Sequence, residues 1–244
     1  MIAALIGSML INEKEGITQS GVGSPAHNKG GPFMKTLRLS LGLTLLLALA
    51  WAPAASLAKG PSLGPQAVWN PPGPVLQNWL ACQDAACKEE IMRKSGASDQ
   101  AVGFWRQSQG HLLTAFRKLG RVDLAWGAFA GAGYQGQYYL LNGSPPLLGV
   151  DDAVIEARRN KTLDLTAHPG FARLRARHPK ADLWQCRELE SVETNAGGQR
   201  FVFSFYLKDG CDACPVLGTA YLSFDFDPQG KFTGIKLMGL IALG

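Results

Sequence analysis

The sequence predicts an α+β fold in which N-terminal helices pack on a curved antiparallel sheet that ends in a four-stranded meander. Three observations predict it. Apolar residues recur at helical spacing from about residue 75, and from residue 122 they alternate with polar residues at a period of two. Clusters of Gly, Pro, Asn and Asp separate these segments. The chain of 244 residues is long enough to bury a substantial core.

Residues 34–58 have the layout of a secretory signal peptide. Two basic residues precede an apolar run over residues 39–52, which is shorter than the roughly 20 residues that a bilayer span requires. Small residues, Ser56 and Ala58, then occupy the −3 and −1 positions of a cleavage site. The alternative is an uncleaved membrane anchor, which the length of the run disfavours. We therefore expect a bacterial protein that is periplasmic or secreted and has no membrane span after cleavage.

Residues 1–33 do not fit a signal peptide, because such a peptide begins close to its own methionine. Lys29, Gly30 and Gly31 can be encoded by a purine-rich sequence that resembles a bacterial ribosome-binding site, just before Met34. We interpret residues 1–33 as an untranslated extension that results from a misplaced start.

The mature chain is predicted to consist of a tail and one domain. Residues 59–74 are rich in proline and glycine, so they are expected to lie extended over the surface, without a helix. Trp69 is expected to pack against the domain and so to attach this tail to it. Residues 75–244 then form a single α+β domain.

The charge pattern argues against a nucleic-acid partner. The chain carries 24 Lys and Arg against 19 Asp and Glu, a net charge of +5, without the concentrated basic stripe of a nucleic-acid-binding protein. The densest basic cluster is interpreted as a solvated helix face and consists of Arg173, Arg175, Arg177, His178 and Lys180.

The first elements of the domain are predicted to be helical over residues 75–119. A break is expected near Gln83 and a stop at Gly96, after which Ser98 is suited to cap the next helix. The apolar stripe of that helix continues at three- and four-residue steps, or their sums, to Leu119.

Alternation then predicts strands over residues 122–128 and 137–141. A short helix through Arg159 follows, with Asp151 or Asp152 as its cap. Another short helix is expected from Pro169, because proline is favoured at the first helical position.

The remaining sequence predicts the antiparallel meander. Its four strands are expected at residues 183–194, 201–208, 220–227 and 232–243, separated by turn-forming residues. Phenylalanines occupy alternate positions in the second and third of these strands, which indicates a sheet with one face on a core.

This order of two helices, two or three strands, short helices and four strands resembles the cone-shaped nuclear transport factor 2-like superfamily, which is related in shape to cystatin-like folds. The resemblance is one of element order over about 170 residues. It implies a curved sheet that, with its helices, often encloses a pocket. Some members use such a pocket for catalysis and many for binding only, so the resemblance does not select a function.

All five cysteines follow the predicted signal peptide, where an oxidising compartment favours disulfides. Two bridges among five cysteines allow several pairings. We prefer the local ones, Cys82 with Cys87 and Cys211 with Cys214. Cys186 would then be a buried free thiol.

The CxxC pair at Cys211 and Cys214 has other interpretations. Thiol exchange needs a thiolate stabilised by a helix N-terminus or a cation, whereas Asp212 lies between the cysteines and a strand follows Pro215. A zinc site would need Cys82 and Cys87 as further ligands. Covalent haem would need histidine in place of Pro215. A structural clip of the loop is therefore preferred.

Four polar residues are candidates for a pocket in the cone: His111, Asp123, Tyr138 and Tyr139. No GxSxG, HExxH or P-loop pattern occurs in the mature chain. We therefore predict no catalytic, cofactor-binding or metal-ligating residue.

These observations favour a non-catalytic binding or accessory module of the cell envelope, and an enzyme is the less favoured class. The module would use the mouth of the sheet or the loop over residues 131–134, and its partner would be a small apolar ligand or an envelope protein. It predicts a roomy pocket or an apolar surface patch. The alternative is a periplasmic thiol–disulfide exchange protein that uses Cys211 and Cys214. A third class, a small-molecule enzyme, needs Asp123 or His111 to point inward beside a tyrosine.

Overall fold

The structure, a computed structural model, describes residues 62–129 and 136–243. Within these ranges it contains five α-helices and eight strands, so the predicted α+β class is confirmed. The elements are α1 (Gly73–Ala81), α2 (Ala85–Lys94), α3 (Asp99–Gln107), β1 (His111–Arg117), β2 (Asp123–Phe129), β3 (Gly136–Leu141), β4 (Leu147–Gly149), α4 (Val150–Arg159), α5 (Pro169–Arg177), β5 (Ala181–Asn195), β6 (Gly198–Asp209), β7 (Val216–Phe226) and β8 (Phe232–Ala242). None of the described helices is long and apolar enough to cross a membrane. The predicted leader, the extension before it and the loop over residues 131–134 lie outside the described residues.

The strands form two separate antiparallel sheets, each ordered as in the chain: β1-β2-β3-β4 and β5-β6-β7-β8. The second sheet is the predicted C-terminal meander. Its alternating phenylalanines, Phe201, Phe203 and Phe205, are fully buried. The rings of Phe201 and Phe203 fill the interior between the sheets, and Phe205 also borders a cavity of about 300 Å³ beside α4.

The main core lies between the two sheets. It joins Leu124 and Leu140 of the first sheet to the phenylalanines of the second, and α4 and α5 add Val154 and Leu174. Phe203 packs with its ring centroid 5.4 Å from those of Tyr138 and Phe224. This cluster is the largest apolar unit among the described residues.

The other face of the first sheet is also buried. Phe104 of α3 packs there against Tyr139 and Leu113, and beside it Trp69, Trp79 and other residues of the N-terminal segment and helices form a further cluster. Because elements cover both faces of this sheet at its centre, consecutive residues of β2 such as Leu124 and Ala125 are buried, unlike the alternating residues at the start of β6.

The predicted helix through Leu119 is wrong. Helix α3 ends at Gln107, and residues 111–117 form β1. Between them Gln109 (φ 57°) and Gly110 (φ 105°) adopt left-handed conformations that stop the helix. The spacing of four between Leu112 and Phe116 suits one face of a helix and, being even, also occurs in strands. In the structure β1 shifts its register between Leu113 and Ala115, so Phe116 shares a face with Leu113.

The segment before α1 is attached closely to the body. It contains one short 3₁₀ turn at Pro65–Ala67 and is otherwise without a helix up to α1, which begins at Gly73. Trp69 is buried as predicted, and its backbone N–H donates to the carbonyl of Leu113 at 3.0 Å. Leu63 exchanges two hydrogen bonds of 2.8 Å with the side chain of Asn142.

A buried side chain joins the two sheets. The amide of Gln199 on β6 accepts a hydrogen bond from the Val122 N–H at 2.9 Å and donates to the Val122 carbonyl at 2.8 Å. Val122 directly precedes β2 and lies beyond the strand pairs of the first sheet. Gln199 therefore satisfies two buried backbone groups that the ladder does not reach.

Candidate functional site

A cleft of about 670 Å³ opens between the first sheet and α4. Phe129 and Leu147 contribute apolar surface to it, whereas His111, Gln137 and Asp152 contribute polar groups. This volume and this mixture of groups are typical of small-molecule sites in proteins.

The polar wall of the cleft is a chain of hydrogen bonds. The side-chain amide of Gln137 donates to the Tyr139 hydroxyl and to Oδ2 of Asp152, each at 3.0 Å. The Tyr139 hydroxyl lies 2.9 Å from Nδ1 of His111. Gln137 and Tyr139 are two residues apart on β3, so they project from the same face of the sheet. The chain thus connects β1, β3 and α4.

The backbone determines the tautomer of His111. Its Nδ1 lies 2.8 Å from the carbonyl oxygen of Ser108. A proton on Nδ1 suits both of its neighbours, because the Ser108 carbonyl oxygen only accepts hydrogen bonds and the Tyr139 hydroxyl can accept one as well. We therefore assign the proton to Nδ1. Nε2, on the far side of the ring, is then unprotonated while the imidazole is neutral. His111 can therefore accept a hydrogen bond from a bound molecule through Nε2.

Burial raises the pKa of the Tyr139 phenol well above its ordinary range, and the hydrogen bond from Gln137 opposes this only in part. Tyr139 is 2% exposed. It therefore keeps its proton at neutral pH and acts as a neutral hydrogen-bonding group and not as a base.

Two of the four predicted pocket residues, His111 and Tyr139, line the cleft. Tyr138 does not, because consecutive residues of a strand face opposite ways. Its ring packs 4.7 Å from that of Trp126, in the direction of the main core.

Asp123 also lies away from the cleft and has a structural role. One carboxylate oxygen accepts a hydrogen bond from the Leu119 N–H at 2.9 Å, and the other accepts one from the Asn142 amide at 2.8 Å. It stabilises the turn between β1 and β2 and supports Asn142, which binds the N-terminal segment.

The sequence analysis missed Gln137 and Asp152. Gln137 could have been found from its position two residues before Tyr139. Asp152 was considered only as a helix cap, together with Asp151, and that prediction is wrong, because Gly149 is the N-cap of α4 and no side chain caps it. The contact between Gln137 and Asp152 depends on how α4 packs against β3, which no local pattern reveals.

The cysteines come together as Cys82 with Cys87 and Cys211 with Cys214, with Cα atoms 5.8 Å and 5.1 Å apart, which is disulfide distance. Cys186 is free and buried. Burial and the carboxylate of Asp151 raise the pKa of its thiol. Cys186 therefore remains protonated and unreactive at neutral pH.

The CxxC loop has a charged environment. Cys211 is exposed and Cys214 is partly buried. The ammonium of Lys208 lies 3.2 Å from the carboxylate of Asp212, which also accepts a hydrogen bond from the Trp184 indole at 3.0 Å. The cation of Lys208 is thus already paired with the acidic residue between the cysteines.

A smaller cavity of about 300 Å³ lies on the other side of α4 and is lined by Asp151, Arg158 and Trp184. Burial, aided by the charge of Asp152 and opposed by the hydrogen bond from the Cys186 N–H at 2.6 Å, raises the pKa of Asp151 to about 6. Asp151 therefore changes its charge close to neutral pH.

No cluster of His, Cys, Asp and Glu suited to a metal ion is present in the part of the chain that the structure describes. No protein-family model, curated protein or solved structure matches this chain. The function must therefore be argued from the site itself, because a fold alone does not specify one.

Proposed function

We propose that this protein is a non-catalytic binding or accessory module that takes a small, largely apolar ligand into the cleft between the first sheet and α4. The cleft of about 670 Å³ carries the proposal, since it is large enough for a small molecule and combines apolar walls with a row of ordered polar groups. Phe129 is 43% exposed at its edge, which offers an aromatic surface to a ligand.

The polar groups are held in place before a ligand arrives. Gln137 is bonded to both Tyr139 and Asp152, and Ser108 orients His111. Such preorganisation lowers the entropy cost of binding. It supports recognition of a ligand that has an apolar body and at least one hydrogen-bonding group.

Replacing Ala153 by tryptophan tests this proposal. Ala153 lies on α4 and lines the cleft, so Ala153→Trp should fill part of it. In a ligand-observed NMR screen of neutral, cationic and anionic fragments, we expect binders of the wild-type protein whose affinity falls at least about tenfold, or roughly 1.4 kcal/mol, in the variant.

Ala172→Trp is the matched control, because Ala172 is exposed on α5 and lies outside the cleft. It should bind the same fragments as the wild-type protein, and both variants should show the wild-type circular dichroism spectrum. The proposal is wrong if no fragment binds, or if Ala153→Trp binds every fragment as well as Ala172→Trp does.

We also propose that the chain is exported to the bacterial periplasm or secreted after cleavage of residues 34–58. Two cysteine pairs at disulfide distance support an oxidising compartment. This location suits a module that binds a small molecule or an envelope protein.

Thiol–disulfide exchange is the second candidate function. The exposure of Cys211 favours it, because an external thiolate could attack the Cys211 sulfur, form a mixed disulfide and release Cys214 as the thiolate. The pairing of Lys208 with Asp212 disfavours it, since this cation is not free to stabilise a thiolate.

Mass spectrometry of the exported protein tests both location and exchange. The intact mass should correspond to a chain that begins at Lys59. After equilibration in glutathione buffers of graded composition and alkylation, we expect Cys211 and Cys214 to remain bridged over the same range as Cys82 and Cys87, the internal control. Selective reduction of the CxxC pair in mildly reducing buffer would support exchange, and a mass that retains residues 34–58 would contradict cleavage.

A further inference from the structure

The cleft has an unusual charge for this protein. The whole chain carries a net charge of +5, yet the described residues that line the cleft include two carboxylates, Asp152 and Glu156, and no lysine or arginine. A site lined by one sign of charge attracts ligands of the opposite sign.

The two carboxylates are not equivalent. Glu156 is paired with the guanidinium of Arg159 at 3.1 Å and accepts a hydrogen bond from Asn160 at 2.8 Å. Asp152 accepts a hydrogen bond from the neutral side-chain amide of Gln137. No ion pair to Asp152 occurs within the described ranges. Asp152 is therefore the carboxylate whose charge is available to a ligand.

A second, independent observation is that the side-chain oxygen of Gln137 accepts no hydrogen bond in the described part of the chain. Gln137 is 9% exposed, and its Oε1 has no hydrogen-bond partner among the described residues. This oxygen is buried just behind the wall of the cleft, where a Cβ added to the lining residue Gly149 would be 3.0 Å from it, so a ligand donor reaches it through a small displacement of the wall. A buried carbonyl oxygen without a partner costs free energy that a donor would recover.

The neutral tautomer of His111 adds one more acceptor. Because Ser108 holds the proton on Nδ1, Nε2 presents a lone pair. The acceptors at this wall are therefore the Asp152 carboxylate, Oε1 of Gln137 and Nε2 of His111. A primary ammonium group carries three donors, no acceptor and a positive charge, so it complements this set.

We propose that the ligand of this cleft is a small primary amine, whose ammonium group binds at Asp152, Gln137 and His111 and whose apolar body packs along Phe129 and Leu147. This inference rests on the proposed function. The ring of Phe129, which is 43% exposed and lines the cleft, can also contact the cation, and aromatic rings attract ammonium groups.

Three compounds that share an indole body separate charge from shape: tryptamine is a cation, tryptophol is neutral and indole-3-acetate is an anion. In NMR titrations at pH 7.5 we expect tryptamine to bind the wild-type protein at least about tenfold more tightly than tryptophol, as expected for a charge-assisted hydrogen bond. Indole-3-acetate should bind most weakly of the three.

Asp152→Asn removes the charge and retains an oxygen that can accept the hydrogen bond from Gln137. It should lower the affinity of the protein for tryptamine by a factor of about ten or more. The affinity for tryptophol should fall less than about threefold. Glu190→Gln is the matched control, because it removes the same charge from an exposed position on β5. It should bind all three compounds as the wild-type protein does.

The outcomes distinguish this inference from the proposed function. If tryptophol or indole-3-acetate binds as tightly as tryptamine, and Ala153→Trp blocks it, the amine assignment is wrong and the binding cleft stands. The assignment is also wrong if none of the three compounds binds. The proposed function is wrong as well if, in addition, the fragment screen finds no compound whose binding Ala153→Trp weakens.

Discussion

Replacing Phe203 by alanine should lower the free energy of unfolding by about 3–5 kcal/mol, the usual cost of a large-to-small change in a rigid core. Phe203 is 0% exposed and lies on β6, between β5 and β7. Its ring packs against Tyr138 of the other sheet and Phe224 of its own. The substitution would leave a cavity between the two sheets, and many domains are stable by only about 5–15 kcal/mol in total.

Urea unfolding followed by circular dichroism measures this loss. Phe129→Ala is the control, because it removes the same ring from a position that is 43% exposed. It should cost less than about 1 kcal/mol. Equal losses for the two variants would contradict the interpretation of the phenylalanine row as the core between the sheets.

Replacing Gln199 by leucine should cost about 2–4 kcal/mol, although leucine has a similar volume. Gln199 is 5% exposed and bonds both the N–H and the carbonyl of Val122. Without the amide these two buried backbone groups lose their partners, and each such loss costs about 1–3 kcal/mol. Because Val122 directly precedes β2 of the first sheet and Gln199 lies in the second sheet, the variant also weakens the attachment of one sheet to the other.

Thermal and urea unfolding of Gln199→Leu should be compared with Gln229→Leu, which makes the same replacement at an exposed position in the turn before β8. The control should change stability by less than about 0.5 kcal/mol. A loss of stability below about 0.5 kcal/mol for Gln199→Leu would mean that water or a backbone movement replaces both hydrogen bonds to Val122. The role assigned to Gln199 would then be wrong.

The cleft was predictable only in part. His111 and Tyr139 were selected from the sequence as pocket residues, and both line it. The other two selected residues lie elsewhere. Tyr138 faces the opposite side of the strand from Tyr139, and the carboxylate of Asp123 accepts hydrogen bonds from Leu119 and Asn142. Because side chains alternate between the two faces of a strand, two consecutive tyrosines cannot both line the same site.

The order of elements was largely determined by local patterns. The alternating phenylalanines of β6, the stop at Gly96 with the cap at Ser98, and the proline that begins α5 all mark elements that the structure contains. Each of these signals acts within a few residues of the position that it specifies, because capping, turn geometry and side-chain period are local properties of the backbone. The exception is β1, where a spacing of four fits both a helix and a strand.

The sequence by itself thus determined the α+β class and most helix and strand positions. Only the tertiary structure decided that the strands divide into two sheets, that Gln199 reaches Val122 across 77 residues, and that α4 brings Asp152 to Gln137. Such contacts join segments that are distant in the chain. They depend on how whole apolar faces pack together, so no single stretch of residues contains them.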